Sequence, residues 1–495
     1  MRPILTILLT LFLIAPAVVA GGGGRAQKVA DRKLRDLVDD AIDRGSEWLA
    51  GTQAENGSFG AEFRHPLGST AISALALLHS GMRFDHEVIE RAFTFMRRQH
   101  KLLGKGLRTY AASVTIMALS EYGRARGRAR GVFDLSPEDR AWLKSLVDFL
   151  VRNQVAGGGW RYPGPEDGFD HSNSQYALLA LKEARKSGII VPEEVFAKAL
   201  KLFISTQEKR GPKVRRSREE GGDGVYFANR KTVAGYDYAR GWGYVGPMAP
   251  SGSMTAAGVA AVSICVSELS ENRWGTVKAA GEKARWDGIA WLGKNFSVKE
   301  NPPGGPAWHY YYLYGLERAG VLAGVVYMAG HRWYARGAKY LVDAQSPDGP
   351  WRVPSAMRGR QAADPVTQSF ALLFLVRATA RAMGVATEEP LIDLTGAREL
   401  SDADFESLFK TAFAEMGRLT DEAAEKRARA FALLLPRVVP LLLKRMAAEQ
   451  EETRTRAVKI LRAATGQSKG FDPAAEETVR REVLDRWIGW YFENR

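Results

Sequence analysis

A short pattern written several times over constrains this chain more than any other feature. Its fullest copy runs from Arg336 to Trp351: a basic residue, Gly337, the aromatic-Leu pair Tyr340 and Leu341, Gln345, then Gly349 and Trp351. Arg44, Gly45, Trp48, Leu49, Gln53, Gly57 and Phe59 repeat the spacing with Phe in place of Trp. Aligned on the glutamine, the copies fall at Gln53, Gln99, Gln154, Gln207, Asn295 and Gln345, with Asn replacing Gln once. The spacings are 46, 55, 53, 88 and 50 residues, and the 88 is one unit carrying a basic, glycine-rich insertion over about 208–240. Self-similarity at such a period marks a repeat architecture, in which one supersecondary unit recurs and neighbours bury each other's apolar faces.

Each unit holds two helical stretches. The first is amphipathic and ends at the glutamine; Val195, Phe196, Ala199, Leu200, Phe203 and Ile204 mark its buried face ahead of Gln207. The second is apolar nearly all round, over 71–78, 111–119, 176–181, 254–266, 310–316 and 370–376. A helix without a polar face is a buried helix. Six half-exposed helices alternating with six buried ones predict an all-α fold, a single (α/α)6 toroid of two concentric rings. Ser69, Thr70, Thr109, Ser172, Ser174, Ser253, Thr255 and Thr367 open the inner stretches and are expected to cap them. All inner helices then start around one mouth.

After about residue 388 the pattern stops. Residues 427–445, 451–464 and 476–493 read as three amphipathic helices, with Pro436 and Pro440 breaking the first stretch, and resemble a HEAT-like packing unit. The expected organisation is a signal peptide at 1–20, a linker at 21–29, the toroid at 30–385, a linker with a short helix at 386–420 and the HEAT-like domain at 421–495.

Arg2, the apolar stretch 4–19 and the small residues Val18, Val19 and Ala20 form a secretory-type signal, with a retained membrane anchor as the alternative. Later apolar stretches of membrane length all carry charge. The mature chain is therefore expected to be exported, periplasmic or extracellular, and soluble. One cysteine, Cys265, excludes a disulfide framework and a multi-cysteine zinc site. The net charge of +14 is concentrated in two runs, 124–130 and 209–218. These read as solvated loops, or as attractors of an anionic lipid or glycan. Export makes nucleic acid the weakest partner.

The repeat resembles the QW motif of the prenyltransferase and squalene-oxidase repeat superfamily over about residues 30–385. Stretches 170–181, 253–258, 311–320 and 369–375 are similar to exported planctomycete-type proteins of that group whose activity is not established. The resemblance implies the toroid fold. It does not carry the superfamily's chemistry across. Triterpene cyclases use a D-x-D-D acid, and the nearest run here, Asp36, Asp39 and Asp40, has different spacing. Prenyltransferases bind zinc with an Asp two residues before a Cys, and Ser263 stands two before Cys265. No metal or other cofactor is expected.

Three polar clusters remain at the expected mouth. Trp308, His309, Tyr310, Tyr314, Glu317 and Arg318 form the densest; Tyr310, Tyr314 and Glu317 fall at i, i+4 and i+7 on one side of an inner helix. They suit an aromatic wall with an acid, or a packed interior in which Arg318 or Arg332 neutralises Glu317. Asp170 and His171, with Asn173, Gln175 and Tyr176, read either as a proton-transfer pair or as a helix start. His65, Tyr236, Asp237, Tyr238, Asp364, Thr367 and Gln368 complete the rim, with Asp364 suited to a helix start. Catalytic candidates are Glu317, His309, Asp170 and His171; whether the protein is an enzyme stays open. The leading reading is a binding or scaffold module, with a small hydrophobic or glycan ligand in the toroid and a protein partner on the C-terminal helices. An isoprenoid- or lipid-processing enzyme and a glycan-processing toroid are the alternatives.

Overall fold

The computed structural model describes residues 22–60, 66–103, 107–127, 132–162, 168–216, 226–227, 235–246, 248–354, 361–376, 401–416, 435–448, 450–465 and 471–493. The expected signal at 1–20, His65, and parts of both basic runs and of the 386–420 linker lie outside these residues. The described residues divide into two compact units, the first reaching residue 376 and the second beginning at 401, apart from Val132.

Among the described residues the first unit has twelve helices: α1 (Gly22–Gly51), α2 (Pro66–His79), α3 (Glu87–Leu103), α4 (Thr109–Gly127), α5 (Pro137–Arg152), α6 (His171–Lys186), α7 (Glu193–Thr206), α8 (Gly252–Glu268), α9 (Glu271–Lys294), α10 (His309–Ala323), α11 (Trp333–Ala344) and α12 (Pro365–Leu375). The even-numbered helices are the apolar ones, and α8 is buried on every side from Gly252 to Cys265. They pack in a cycle, α2 on α4, α6, α8, α10, α12 and back onto α2. The odd-numbered helices pack outside them, and α1 closes the ring by packing on α11, α12 and α2. That closed cycle is an (α/α)6 toroid.

Short antiparallel strands decorate the loops. The insertion after α7 folds back as β1 (Lys213–Arg216) on β3 (Gly235–Tyr238), in the register Lys213 to Tyr238. Strand β2 (Tyr226–Phe227) pairs with β4 (Val325–Met328), which pairs with β5 (His331–Arg332). Strand β6 (Val353–Pro354) pairs with β7 (Gln361–Ala362).

The repeated residues make one repeated brace. Gln53, Gln154 and Gln345 each donate from Nε2 to the carbonyl of the glycine four residues on, at 3.1, 2.9 and 2.7 Å. The same nitrogens reach a carbonyl inside the next outer helix, at Val88, Val195 and Ala41, at 2.8, 2.9 and 2.9 Å. Gln207 does likewise with Arg240 and Ala284, at 3.0 and 2.8 Å. The fully buried Trp160, Trp242 and Trp351 donate from the indole to the carbonyl four residues before their glutamine, Leu150, Phe203 and Leu341. The turn glycine is required by proximity: Gly158 has φ +97°, and a β-carbon there would stand 2.4 Å from the carbonyl oxygen of Lys198. Asn295 is one methylene shorter and, among the described residues, its side chain bonds Trp291 of its own helix, at 2.9 Å.

The expected caps are corrected. Thr70, Ser174 and Thr255 accept from the backbone N–H of Phe59, Trp160 and Trp242, the motif's aromatic residue, at 3.0, 3.0 and 3.2 Å. They bind the repeat's turn to the next inner helix and do not cap their own. Capping falls to Asp170, Ser251 and Asp364, just outside α6, α8 and α12. Only a residue with extended backbone before the first turn aims its oxygen at the orphan N–H groups.

The second unit holds α13 (Asp402–Met416), α14 (Leu435–Met446), α15 (Glu451–Thr465) and α16 (Glu477–Glu493) around Phe405, Phe409, Val438, Leu442, Leu461 and Trp487. Pro440 does not break α14, while Pro436 stands at its start and residues 427–434 of the expected stretch lie outside the described residues. Pro436 lies in the first turn, where an N–H has no intrahelical partner, and the exposed Pro440 is accommodated inside the helix.

Candidate functional site

The first turns of the inner helices meet around one mouth. Gly68 of α2 lies against Ala111 of α4, and the N–H of Ser253 on α8 is held by Asn301, just before α10, at 2.8 Å. Tyr110, Ser172 and Tyr311 open α4, α6 and α10, and their hydroxyls join across the ring.

This join is the floor of the mouth. Gln175 donates from Nε2 to the Tyr311 hydroxyl, which lies 2.5 Å from Ser172 Oγ, and Ser172 contacts the Tyr110 hydroxyl. An amide nitrogen can only donate, so the Tyr311 oxygen accepts from Gln175, and the three hydroxyls share their protons among themselves. Beneath the floor, Gln175 Oε1 accepts from Arg318 Nη2 at 3.1 Å. The Arg318 guanidinium lies 4.0 Å from the ring centroid of Tyr314 and 5.1 Å from that of Tyr176. Burial holds Tyr110, Tyr176, Tyr311 and Tyr314 above the ordinary phenol range, so all four are neutral hydroxyls.

Around the floor stand exposed aromatic faces. Trp308 is 75% exposed, Tyr162 44% and Tyr244 38%. Trp308 is the N-cap of α10 with φ +61°, makes no capping bond, and meets Tyr311 edge-on at 6.5 Å. A non-glycine residue held in the left-handed region costs energy, of order 1–2 kcal/mol.

The structure separates the sequence candidates. Tyr314, Arg318, Gln175 and Tyr176 come together beneath the floor. The row of α10 that faces α6 is Tyr311, Tyr314 and Arg318, in place of Tyr310, Tyr314 and Glu317; Tyr310 turns toward His309, 5.3 Å away, and burial raises its phenol alongside Tyr340 of α11. Glu317 is fully buried and engaged by surrounding protein. His309 bonds Val298 O through Nε2 at 2.9 Å, and burial lowers its pKa. Asp170 accepts from the Asn173 N–H at 2.7 Å and from its side-chain amide at 2.8 Å, while burial raises its pKa. His171 is buried with Nδ1 2.7 Å from Gly243 O and Nε2 2.9 Å from Thr206 Oγ1. The carbonyl can only accept, so Nδ1 carries the proton, and Nε2 faces the Thr206 hydroxyl, whose one proton Leu202 O also draws at 2.8 Å. Both nitrogens are thus spent, on partners other than Asp170.

Asp364 accepts from Val366 N and Thr367 N at 3.0 and 2.9 Å, and Gln368 clamps Trp351 through its N–H and C=O at 2.9 and 2.6 Å. Of the third group, Asp237 is buried, and the exposed Tyr236 lies under Lys213 Nζ at 4.0 Å. Among the described residues no three His, Cys, Asp or Glu side chains converge as metal ligands. Sequence reasoning missed Tyr110, Tyr162, Tyr244 and the role of Ser172. The one signal available was position, since Tyr110 and Ser172 are each second in an inner helix.

No family model and no curated protein matches the chain. One solved structure with a similar fold is described as a possible member of the GH105 family from Salmonella enterica serovar Paratyphi A. It is 14% identical, covers 70% of this chain and 94% of its own, and has a TM-score of 0.44. A likeness of that size carries no activity across.

Proposed function

We propose that the toroid is a binding module that takes a glycan across its mouth, and that the chain is a QW-type repeat protein working outside the cytoplasm. The four glutamine braces support the QW assignment, and the apolar N-terminal stretch supports export. The glycan reading rests on one observation above others: exposed aromatic faces at Trp308, Tyr162 and Tyr244 stand beside a floor of hydroxyl and amide groups at Tyr110, Ser172, Tyr311 and Gln175. A sugar ring has apolar C–H faces and hydroxyl edges, and so needs flat apolar surface with polar groups placed between.

The isoprenoid alternative needs a deep apolar cavity. The interior here holds a guanidinium among tyrosines, where an apolar chain would desolvate a charge. Hydrolysis needs two carboxyl groups about 5–9 Å apart across the bond. Asp170 and Asp364 are both committed to helix N–H groups, so binding is favoured over turnover.

Trp308→Gly tests the reading, because glycine adopts a φ of +61° at no steric cost. Tryptophan fluorescence should follow titration with neutral and acidic oligosaccharides. The variant is expected to melt no lower than the parent and to bind about tenfold more weakly. Equal binding by the variant, or no response of the parent to any sugar, would overturn the proposal.

A further inference from the structure

Arg318 is fully buried, and among the described residues its Nε and Nη1 make no hydrogen bond. Its Nη2 bond goes to an amide oxygen, which is neutral. The Tyr314 and Tyr176 ring faces offset part of the charge. A buried cation is ordinarily met by an anion, because desolvation costs more than neutral groups return. Gln175 takes one of the two Nη2 protons, and the other still pairs with Nε–H or with Nη1–H along one edge of the plane. A complete two-donor edge therefore remains, the geometry that a carboxylate accepts. The Tyr176 hydroxyl lies beside it and interacts with the guanidinium.

The guanidinium is close to the mouth despite its burial. Side chains on a helix lean toward its N-terminus, which for α10 is the mouth. Gln175 touches Arg318 with one end of its amide and the Tyr311 hydroxyl with the other. One side-chain layer thus separates the cation from the rim where Trp308 stands.

We propose that Arg318 receives a carboxylate carried by the ligand, entering past Tyr311, so that the mouth selects acidic sugars over neutral ones. The choice of a sugar as the carrier rests on the glycan reading above; the carboxylate site does not. On binding, the carboxylate oxygens replace the bond that Gln175 makes to Nη2 or take the remaining donor edge. Tyr311 exchanges its contact with Gln175 for one with the ligand.

The test compares an oligosaccharide ending in glucuronate with its glucose-ending counterpart, using the full chain and its Arg318→Met variant. The parent should bind the uronate at least about tenfold more tightly. Arg318→Met should erase that preference while weakening the neutral sugar far less, since Arg318 meets the floor only through Gln175. Arg318→Lys covers a failure of the Met variant to fold: it keeps the charge, loses the planar edge, and should reduce the preference. Acetate against chloride at equal ionic strength supplies the second arm, with an Arg318-dependent rise in melting temperature expected. No uronate preference in the parent, or a preference that survives both substitutions, overturns the proposal. An acetate effect without binding of either oligosaccharide overturns the glycan reading alone.

Discussion

His171 shows how a residue that reads as chemistry in sequence becomes structure in the fold. Beside Asp170 at a helix start it suggests a proton-transfer pair, yet Gly243 and Thr206 take both ring nitrogens. Both partners arrive from far along the chain, so no local pattern carries them. Burial depresses the imidazole from 6.5 to about 4. Between those values the unfolded chain binds a proton that the folded chain refuses. Stability is therefore complete above pH 6.5 and falls as the pH drops toward 4, by about 3 kcal/mol at most at 1.36 kcal/mol per pH unit. Urea denaturation at pH 7, 5 and 4.5 should show a smaller acid loss in His171→Gln than in the parent. Parallel losses in the two proteins would assign the acid sensitivity to other groups. The motif glutamines are the opposite case. Their spacing is visible in sequence, and the bond that Gln53, Gln154 and Gln345 make to the glycine turn is as local as the spacing; the second bond, to the next outer helix, needs the ring.

At the scale of elements, α6 and α10 divide what the sequence displays from what it hides. That both are inner helices follows from apolar residues on every side. That same property conceals their orientation, since a helix buried all round has no polar face to fix its phase. Only the contacts of Tyr311 with Ser172 and Gln175, across the ring, show that Arg318 lies beneath the floor while Tyr310 turns to the outer ring. Helix starts are hidden differently: several hydroxyls crowd each start, and the one that caps is decided by a single extended residue. For α6 that residue is Asp170, with φ −137°. Asp170→Ala should cost about 1–2 kcal/mol in chemical denaturation, and Asp170→Asn less, because its amide oxygen still accepts from Asn173 N–H. A loss in the Asn variant as large as in Ala would mean that the carboxylate charge matters beyond the cap.

At the scale of the toroid, closure changes what an end means. In an open solenoid the terminal repeat contacts one neighbour and frays before the rest. Here α1, the first helix, packs on α11, α12 and α2, and Gln345 reaches back 304 residues to Ala41 O at 2.9 Å. Gly45 is the tightest point of this seam, where a β-carbon would stand 2.6 Å from the Trp351 ring. Gly51, on the same helix, has nothing within 4 Å. Native-state hydrogen exchange should therefore find α1 amides around 38–49 as protected as those of α6 and α8. Gly45→Leu should lower protection in α1, α11 and α12 together and cost about 5 °C of melting temperature, whereas Gly51→Leu should leave both unchanged. Early exchange of α1 in the parent, with α11 and α12 still protected, would show that the seam opens as an end and that the ring is closed in shape but not in cooperativity.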